Sequence, residues 1–419
     1  MTAYNCFQKK QQNSTKYNDS ETLCGASPSQ LGEHRLVSLM GRADRGESLV
    51  IAFLGGSITQ GSVATSKENT YAYRVYEWWR KSFPSATFTY VNGGIGGTDS
   101  YFGVSRAECD VLSAMPDLVV VDFSVNDDGN PYAMETYEGT IRKLLSWRSE
   151  PSVLALCNVF YDTGFTVEDV HEVVCSHYGV PAISIRDTVY ARMKAGEFTR
   201  DDITPDGLHP NDRGHELVAG EIIKVLENYR EVAVAGRTVA SGETVVSGET
   251  VASGETVACD ESVACDEAVS SAGGVLPEPL TANAYEGAIR LTSRDIAPQL
   301  SGFVADTRQK ESFLDHFANG WIGAKAGDKL TCELTGSCIG IQYRKTVKKP
   351  AAVAMAVIDG DRENPVVLDG NFDEDWGDCL YIEKVVHHGE CGRHSIEITI
   401  QPTGIEEVTP FYLMSFIVA

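Results

Sequence analysis

A chain of 419 residues is longer than a single hydrophobic core requires, so its length predicts two or three domains. A formal net charge of −24 argues against a nucleic-acid partner, because phosphate recognition depends on clustered Lys and Arg side chains. The sequence has no apolar stretch of the roughly 20 residues that a membrane span needs, and its first ten residues lack the apolar core of a secretory signal. We therefore expect a cytoplasmic protein without a membrane segment.

The first half of the chain alternates between strand-like and helix-like runs. Residues 1–30 are polar and predict a mobile arm, and residues 31–45 predict a short helix. Strand-like runs follow at 49–54, 88–92, 117–123, 153–159 and 180–185, and helix-like runs at 71–83, 101–114, 134–147, 167–178 and 212–229. This alternation over residues 31–230 predicts an α/β domain whose parallel sheet has helices on both faces.

The second half of the chain begins with a repeat and continues with strand signals. Residues 238–273 form a decaying hexad of the Thr-Val-Ala-Ser-Gly-Glu type, which favours an acidic, flexible linker over 231–275, with a small solenoid as the alternative. Strand-like runs then occur at 329–334, 339–343, 353–358, 380–386, 396–400 and 412–418. Residues 276–419 therefore predict an all-β sandwich of the jelly-roll-like kind.

Chemically useful side chains follow the predicted strands of the α/β domain. Ser57 follows the first strand, Gly97 ends a glycine cluster after the second, and Asn126 follows the third. Asp206 and His209 lie just before the last helix-like run. Ligands bind outside the carboxyl ends of strands in open parallel sheets, so these loops are expected to meet at one crevice.

These residue types together are those that acyl transfer requires. His209 is suited to remove the proton of the Ser57 hydroxyl, and Asp206 is suited to orient the imidazole. Amides of Ser57, Gly97 and Asn126 can donate to an oxyanion. Taken singly, each motif is more typical of a cap or a tight turn, and their joint occurrence in this order favours catalysis.

The same four segments resemble the conserved blocks of the SGNH hydrolases, the GDSL-like esterases and lipases, over about residues 48–230. Gly56 stands where many members of that family have Asp. The resemblance implies a flavodoxin-like three-layer α/β/α fold, with Ser57 as nucleophile and Gly97, rather than Gly96, as one oxyanion donor. It also implies that Asn126 is a donor and that Asp206 and His209 complete the triad. A following β-domain is similar to that of two-domain bacterial esterases that deacetylate glycans.

Two tryptophans of the predicted β-domain are candidate sugar-binding residues. Trp321 and Trp376 lie at predicted loop positions, and exposed indole rings stack on sugar faces, although core packing is the alternative for each.

Cysteine and histidine spacing predicts no metal site and no cofactor. The eleven cysteines have no repeated spacing, which favours reduced thiols. His387 and His388, and Cys332 with Cys338, lack the paired short spacings of a structural zinc site.

The sequence therefore predicts a serine esterase that removes short acyl groups, O-acetyl above all, from an acetylated carbohydrate partner. A lipase or thioesterase acting on longer acyl chains is one alternative, and a non-catalytic glycan-binding protein on the same scaffold is another. An intact Ser57, Asp206 and His209 argues against the last.

Overall fold

The computed structural model describes residues 31–241, 276–308, 316–405 and 407–419. The predicted N-terminal arm and almost all of the hexad repeat lie outside these residues. The described chain forms an α/β domain followed by a domain of antiparallel strands.

The α/β domain is built on a five-stranded parallel sheet. Its strands are β1 (Ser48–Gly55), β2 (Thr87–Gly94), β3 (Leu118–Asp122), β4 (Ser152–Cys157) and β5 (Ala182–Ser184). Their order in the sheet is β2-β1-β3-β4-β5, which is the flavodoxin-like order. Every residue of β3 and β4 is buried, as expected for apolar runs covered by helices on both faces.

Nine α-helices accompany this sheet within the described residues. They are α1 (Leu31–Asp44), α2 (Ser57–Gln60), α3 (Tyr71–Ser82), α4 (Ser100–Asp110), α5 (Pro131–Leu145), α6 (Glu168–Tyr178), α7 (Ala191–Lys194), α8 (Arg200–Ile203) and α9 (Asp212–Ser241). One apolar core joins α1, α3 and α9 to one face of the sheet, and a second joins α4, α5 and α6 to the other. The predicted three-layer α/β/α architecture is confirmed.

Local sequence explains where several helices begin. The side chains of Thr70, Asp99 and Asn130 accept hydrogen bonds from the first turns of α3, α4 and α5, and Pro131 occupies the first position of α5. Helix α9 is longer than the sequence predicted, because helix-compatible residues continue to Ser241, past the expected domain boundary at residue 230.

The C-terminal domain is a β-sandwich, as predicted. Its strands are β6 (Ile289–Leu291), β7 (Gln299–Ser301), β8 (Val304–Ala305), β9 (Trp321–Gly323), β10 (Lys329–Gly336), β11 (Ile339–Lys345), β12 (Val353–Ile358), β13 (Val366–Asp369), β14 (Cys379–Val386), β15 (Gly392–Ile400) and β16 (Phe411–Val418). One sheet has the order β13-β12-β15-β10-β7, and the other has the order β14-β11-β16-β9-β8, with β6 paired to β16. Leu330 and Ile398 of the first sheet share an apolar core with Ile341 and Phe416 of the second.

Helix α5 holds the segment that leads into the β-sandwich. The buried carboxylate of Glu138 accepts hydrogen bonds from the backbone N–H groups of Leu280 at 2.6 Å and Thr281 at 2.8 Å. One residue along the helix, a Cβ on Gly139 would lie 3.0 Å from the carbonyl carbon of Tyr285, so glycine permits the close approach. The two domains are therefore joined by packed and charged contacts. None of the described helices combines the length and apolar character that crossing a bilayer requires.

Candidate active site

The turn that presents Ser57 depends on glycine. Strand β1 ends at Gly55, and α2 begins two residues later at Ser57. A Cβ on Gly55 would lie 2.6 Å from the carbonyl oxygen of Asp122, and a Cβ on Gly56 would overlap with the side chain of Asn126. Glycine at these positions lets the loop after β3 approach the loop after β1. The departure from Gly-Asp-Ser at Gly56 thus has a steric explanation in this chain.

Three side chains from distant parts of the sequence form a continuous hydrogen-bonded chain. Nε2 of His209 lies 2.8 Å from Oγ of Ser57, and Nδ1 of His209 lies 2.6 Å from Oδ2 of Asp206. Ser57 is 9% exposed, while the side chains of His209 and Asp206 are 20% and 32% exposed. The hydroxyl can therefore pass its proton to the imidazole while solvent and substrate still reach the site.

The Asp206 carboxylate is held in its ionised form. Burial opposes ionisation, but the hydrogen bond and charge of His209 and the backbone N–H groups of Leu208 and His209 outweigh it and lower the pKa of Asp206 well below its usual range. Those N–H groups donate to Oδ1 at 2.9 and 2.8 Å, which leaves Oδ2 for the imidazole. An ionised carboxylate at this position fixes the imidazole tautomer and stabilises the imidazolium.

The glycine loop after β2 lies beside Ser57, since a Cβ on Gly96 would lie 3.6 Å from Cβ of Ser57. The N–H of Gly96 donates to Oε1 of Gln60 at 2.8 Å and is thereby used. The N–H of Gly97 has no hydrogen-bond acceptor among the described residues, and Gly97 has a φ of +68°, which favours glycine. This difference supports the expectation that Gly97, not Gly96, donates to an oxyanion. The side-chain amide of Asn126 lies against Gly56, at the same turn.

Sequence reasoning missed Arg106, which ties the site loops to the sheet. This fully buried arginine on α4 donates from Nη2 to the carbonyl oxygen of Gly55 at 2.9 Å and from Nη1 to that of Gly93. Its Nη1 also lies 2.9 Å from Oδ2 of Asp110. Arg106 therefore fastens the carboxyl ends of β1 and β2 together. Arg106 and Asp110 have the i,i+4 spacing that is equally typical of an ion pair on an exposed helix face. The sequence therefore did not indicate this role.

Two further buried carboxylates support the loop after β3. Oδ1 of Asp127 accepts from the N–H of Ser100 at 2.7 Å, and its Oδ2 lies 3.0 Å from Nε2 of buried His171. Asp122 accepts from the side-chain amide of Asn158 at 2.8 Å, and burial raises its pKa to about 7. The pairing of Asn126 with Asp127 was visible in the sequence, but the partners of Asp127 come from other segments.

The two candidate tryptophans have different environments. Trp321 belongs to β9, is 1% exposed and packs against Phe416, so its predicted role in stacking on a sugar is wrong. The loop expected there is a short strand whose indole ring fills the sandwich core. Trp376 is 47% exposed, and its Cη2 atom would lie 3.4 Å from a Cβ on Gly97. A side chain of the β-sandwich thus lies beside the glycine loop of the α/β domain.

Comparison with known proteins agrees with this architecture. Residues 53–217 match the model of the GDSL-like Lipase/Acylhydrolase family. Two crystal structures of a two-domain esterase (CEX) active on acetylated mannans, one of them co-crystallised with mannopentaose, are each 43% identical to this chain. Each similarity covers 92% of this chain and 94% of the other, with a TM-score of 0.80. A comparison with curated protein sequences gives no match.

The fold and these similarities define a carboxylic ester hydrolase of the α/β type with an appended β-sandwich. The chain belongs to the GDSL-like lipase/acylhydrolase family.

Proposed function

We propose that this chain is a serine esterase that hydrolyses short-chain acyl esters of carbohydrates, O-acetyl esters above all, with Ser57, His209 and Asp206 as its catalytic triad. The observation on which the proposal depends is the continuous contact from Ser57 Oγ through the His209 ring to Asp206, at 2.8 and 2.6 Å. This is the geometry that serine nucleophiles use for acyl transfer.

The geometry supports a two-step reaction. Oγ of Ser57 attacks the ester carbonyl while Nε2 of His209 accepts the hydroxyl proton. The oxyanion that forms accepts hydrogen bonds from the N–H groups of Ser57 and Gly97 and from the side-chain amide of Asn126. His209 then gives its proton to the sugar oxygen as the ester bond breaks. Water, deprotonated by His209, attacks the acyl-enzyme, and His209 returns that proton to Oγ of Ser57 as the bond to the acyl group breaks and the acid leaves.

Acetylated mannan is the substrate we propose to test first. The relative with 43% identity is described as active on acetylated mannans, and it has both domains of this chain. The indole of Trp376, exposed beside Gly97, offers an apolar ring face to a sugar next to the reacting ester. Trp376→Ala is expected to raise KM for acetylated mannan several-fold and to leave turnover of p-nitrophenyl acetate within about threefold.

The nucleophile is tested with Ser57→Ala. We expect kcat for p-nitrophenyl acetate to fall by about 10⁴-fold or more, since the residual rate then depends on binding and the oxyanion donors alone. Ser66→Ala is the matched control, because Ser66 is an exposed serine that lies outside the triad. Undiminished turnover in Ser57→Ala, with a native circular dichroism spectrum, would overturn the proposal.

Two further measurements separate the alternatives. A series of p-nitrophenyl esters from acetyl to octanoyl should lose rate beyond butyryl, whereas a lipase or a long-chain thioesterase would gain rate. A fluorophosphonate probe should label Ser57 in the folded protein. If the folded protein takes up no probe, the glycan-binding alternative is favoured over catalysis.

A further inference from the structure

The strand register brings a cysteine and two histidines together at one end of the β-sandwich. Strands β11 and β14 pair in antiparallel fashion, with Ile339 opposite Val386. Cys338 directly precedes β11, and His387 and His388 directly follow β14. One potential ligand atom from each of these three residues lies within 4.8 Å of those from the other two.

The donor set is one that zinc prefers. Thiolate and imidazole ligands occur together in structural zinc sites, at about 2.3 Å for sulfur and about 2.0 to 2.1 Å for nitrogen. Tetrahedral geometry then places the ligand atoms about 3.5 Å apart. Cys338 is buried, whereas both imidazoles are exposed. Binding an ion therefore requires the ligand atoms to move from within 4.8 Å of one another to about 3.5 Å around the buried sulfur.

Each imidazole is already oriented by a buried oxygen. Oε2 of Glu135 lies 2.8 Å from Nε2 of His388, which leaves Nδ1 of that ring for an ion. The hydroxyl of Tyr285 lies 2.7 Å from Nδ1 of His387. Glu135 is itself fixed, because Oε1 accepts from the N–H of Ala284 at 2.9 Å. A carboxylate or hydroxyl on the other nitrogen of a metal-binding histidine fixes the ring and raises its basicity.

The backbone also links the cysteine to one of the histidines. The N–H of His388 donates to Sγ of Cys338 at 3.4 Å. His388 has a φ of +51°, which is uncommon for a residue other than glycine. The charges nearby are the carboxylate of Glu135 and the amine of Lys384.

We propose that Cys338, His387 and His388 bind one Zn²⁺, with Glu135 holding His388 from helix α5 and a water molecule in the fourth position. Because Glu135 belongs to the α/β domain, the ion would fasten the β-sandwich to that domain. Sequence spacing predicted no metal here, since the thiol and the imidazoles are adjacent only after β11 and β14 pair. This site is separate from the triad and does not depend on the proposed reaction.

The proposal is tested with the untagged full chain, Zn²⁺ and Co²⁺. After dialysis against Zn²⁺ with a phosphine reductant, elemental analysis should find one zinc per wild-type chain, and Zn²⁺ should raise the melting temperature. Co²⁺ should give a thiolate-to-metal band in the near ultraviolet, which Cys338→Ser abolishes. Glu135→Gln should weaken zinc binding by about 10 to 100-fold, because an outer hydrogen-bond partner is weakened.

The controls distinguish loss of a ligand from loss of the fold. Cys109→Ser removes an exposed cysteine of the α/β domain and should bind zinc as the wild type does. His388→Ala changes an exposed side chain and should lower the affinity even if Cys338→Ser folds poorly. The far-ultraviolet circular dichroism spectrum of the metal-free protein serves as the measure of folding in every variant. The proposal is overturned if the wild type retains no zinc, or if Cys338→Ser and His388→Ala bind it as tightly as Cys109→Ser.

Discussion

Each of the two domains contains a histidine whose Nδ1 contacts an aspartate, and among the described residues one of these two pairs also contacts a serine hydroxyl. In the α/β domain, Nδ1 of His209 lies 2.6 Å from Asp206. In the β-sandwich, Nδ1 of His394 lies 2.7 Å from Asp359. Both aspartates also accept a backbone N–H, and the pKa of each is lowered. The local pairing is therefore nearly the same.

The two histidine–aspartate pairs differ at Nε2, the ring nitrogen that does not contact the aspartate. Nε2 of His209 is hydrogen-bonded to the hydroxyl of Ser57, a residue that follows strand β1 and is distant from His209 in the sequence. Nε2 of His394 is buried in the β-sandwich and has no hydrogen-bond partner among the residues that the structure describes. A histidine–aspartate contact thus positions an imidazole in either domain. Catalytic chemistry also requires the parallel sheet, because the loops that follow its strands bring the other site residues to Nε2 of the histidine.

The largest expected effect contrasts the two histidines directly. His209→Ala should lower kcat/KM for p-nitrophenyl acetate by about 10⁴-fold or more, because the proton of Ser57 then has no acceptor. His394→Ala should change the same constant by less than about threefold, since its ring is hydrogen-bonded to Asp359 in the β-sandwich rather than to Ser57. Comparable losses in the two variants would contradict the distinction drawn between the domains.

A smaller effect contrasts a buried arginine of the α/β domain with an exposed one of the β-sandwich. Arg106→Met should lower the free energy of unfolding by about 3 kcal/mol, because the carbonyl oxygens of Gly55 and Gly93 and the carboxylate of Asp110 lose their partner. Arg393→Met should cost less than about 1 kcal/mol, since that side chain is 74% exposed beside Glu333. Urea unfolding measures both, and similar values would show that burial of the charge does not set the cost.

The smallest effect concerns the pH dependence of the His394–Asp359 pair. The hydrogen bond to Asp359 is the main cause that raises the pKa of His394 above 6.5, and the same bond lowers the pKa of Asp359 below 3.8. The His394 contribution is complete below pH 6.5 and is lost as the pH rises through its folded pKa. The Asp359 contribution is complete above pH 3.8 and is lost as the pH falls through its folded pKa.

His394→Gln should therefore destabilise the protein more at pH 5.5 than at pH 8.5. The difference should stay below about 1 kcal/mol, because the Asp359 side chain is 50% exposed and its charge is screened. Urea unfolding of the variant and the wild type at both pH values gives the difference directly. An equal loss at the two pH values would exclude the charged pair as its source.

Most of the fold could be predicted from hydrophobic patterning. The five apolar runs of the α/β domain correspond to β1 to β5, and the alternating segment around Ile398 lies in β15. The strands that were missed, β6 to β9 and β13, contain two to four residues each. The alternation of apolar and polar residues cannot be recognised in so few residues. The sequence therefore predicted a loop at β9, and that error led to the wrong role for Trp321.

The site was predictable only where local motifs mark it. Ser57, Gly97, Asn126, Asp206 and His209 each lie in a short recognisable segment, and the structure brings Ser57, His209 and Asp206 into one hydrogen-bonded chain. The supporting residues carry no such mark. Arg106, Asp127 and Asp122 act through partners on other segments, and only the folded chain shows which side chain meets which carbonyl or amide.

The hydrogen bonds between α5 and residues 280–288 also determine where a truncated form of the protein can end. Besides the contacts of Glu138, the buried amine of Lys143 donates to the carbonyl oxygen of Val104 at 3.0 Å and to that of Ala288. A fragment ending at the hexad repeat would remove hydrogen-bond partners from the buried Glu138 carboxylate and Lys143 amine, and it would expose the apolar residues packed against Ala288. An expression fragment of the hydrolase half should therefore extend through Ala288, so that residues 280–288 remain packed against α5.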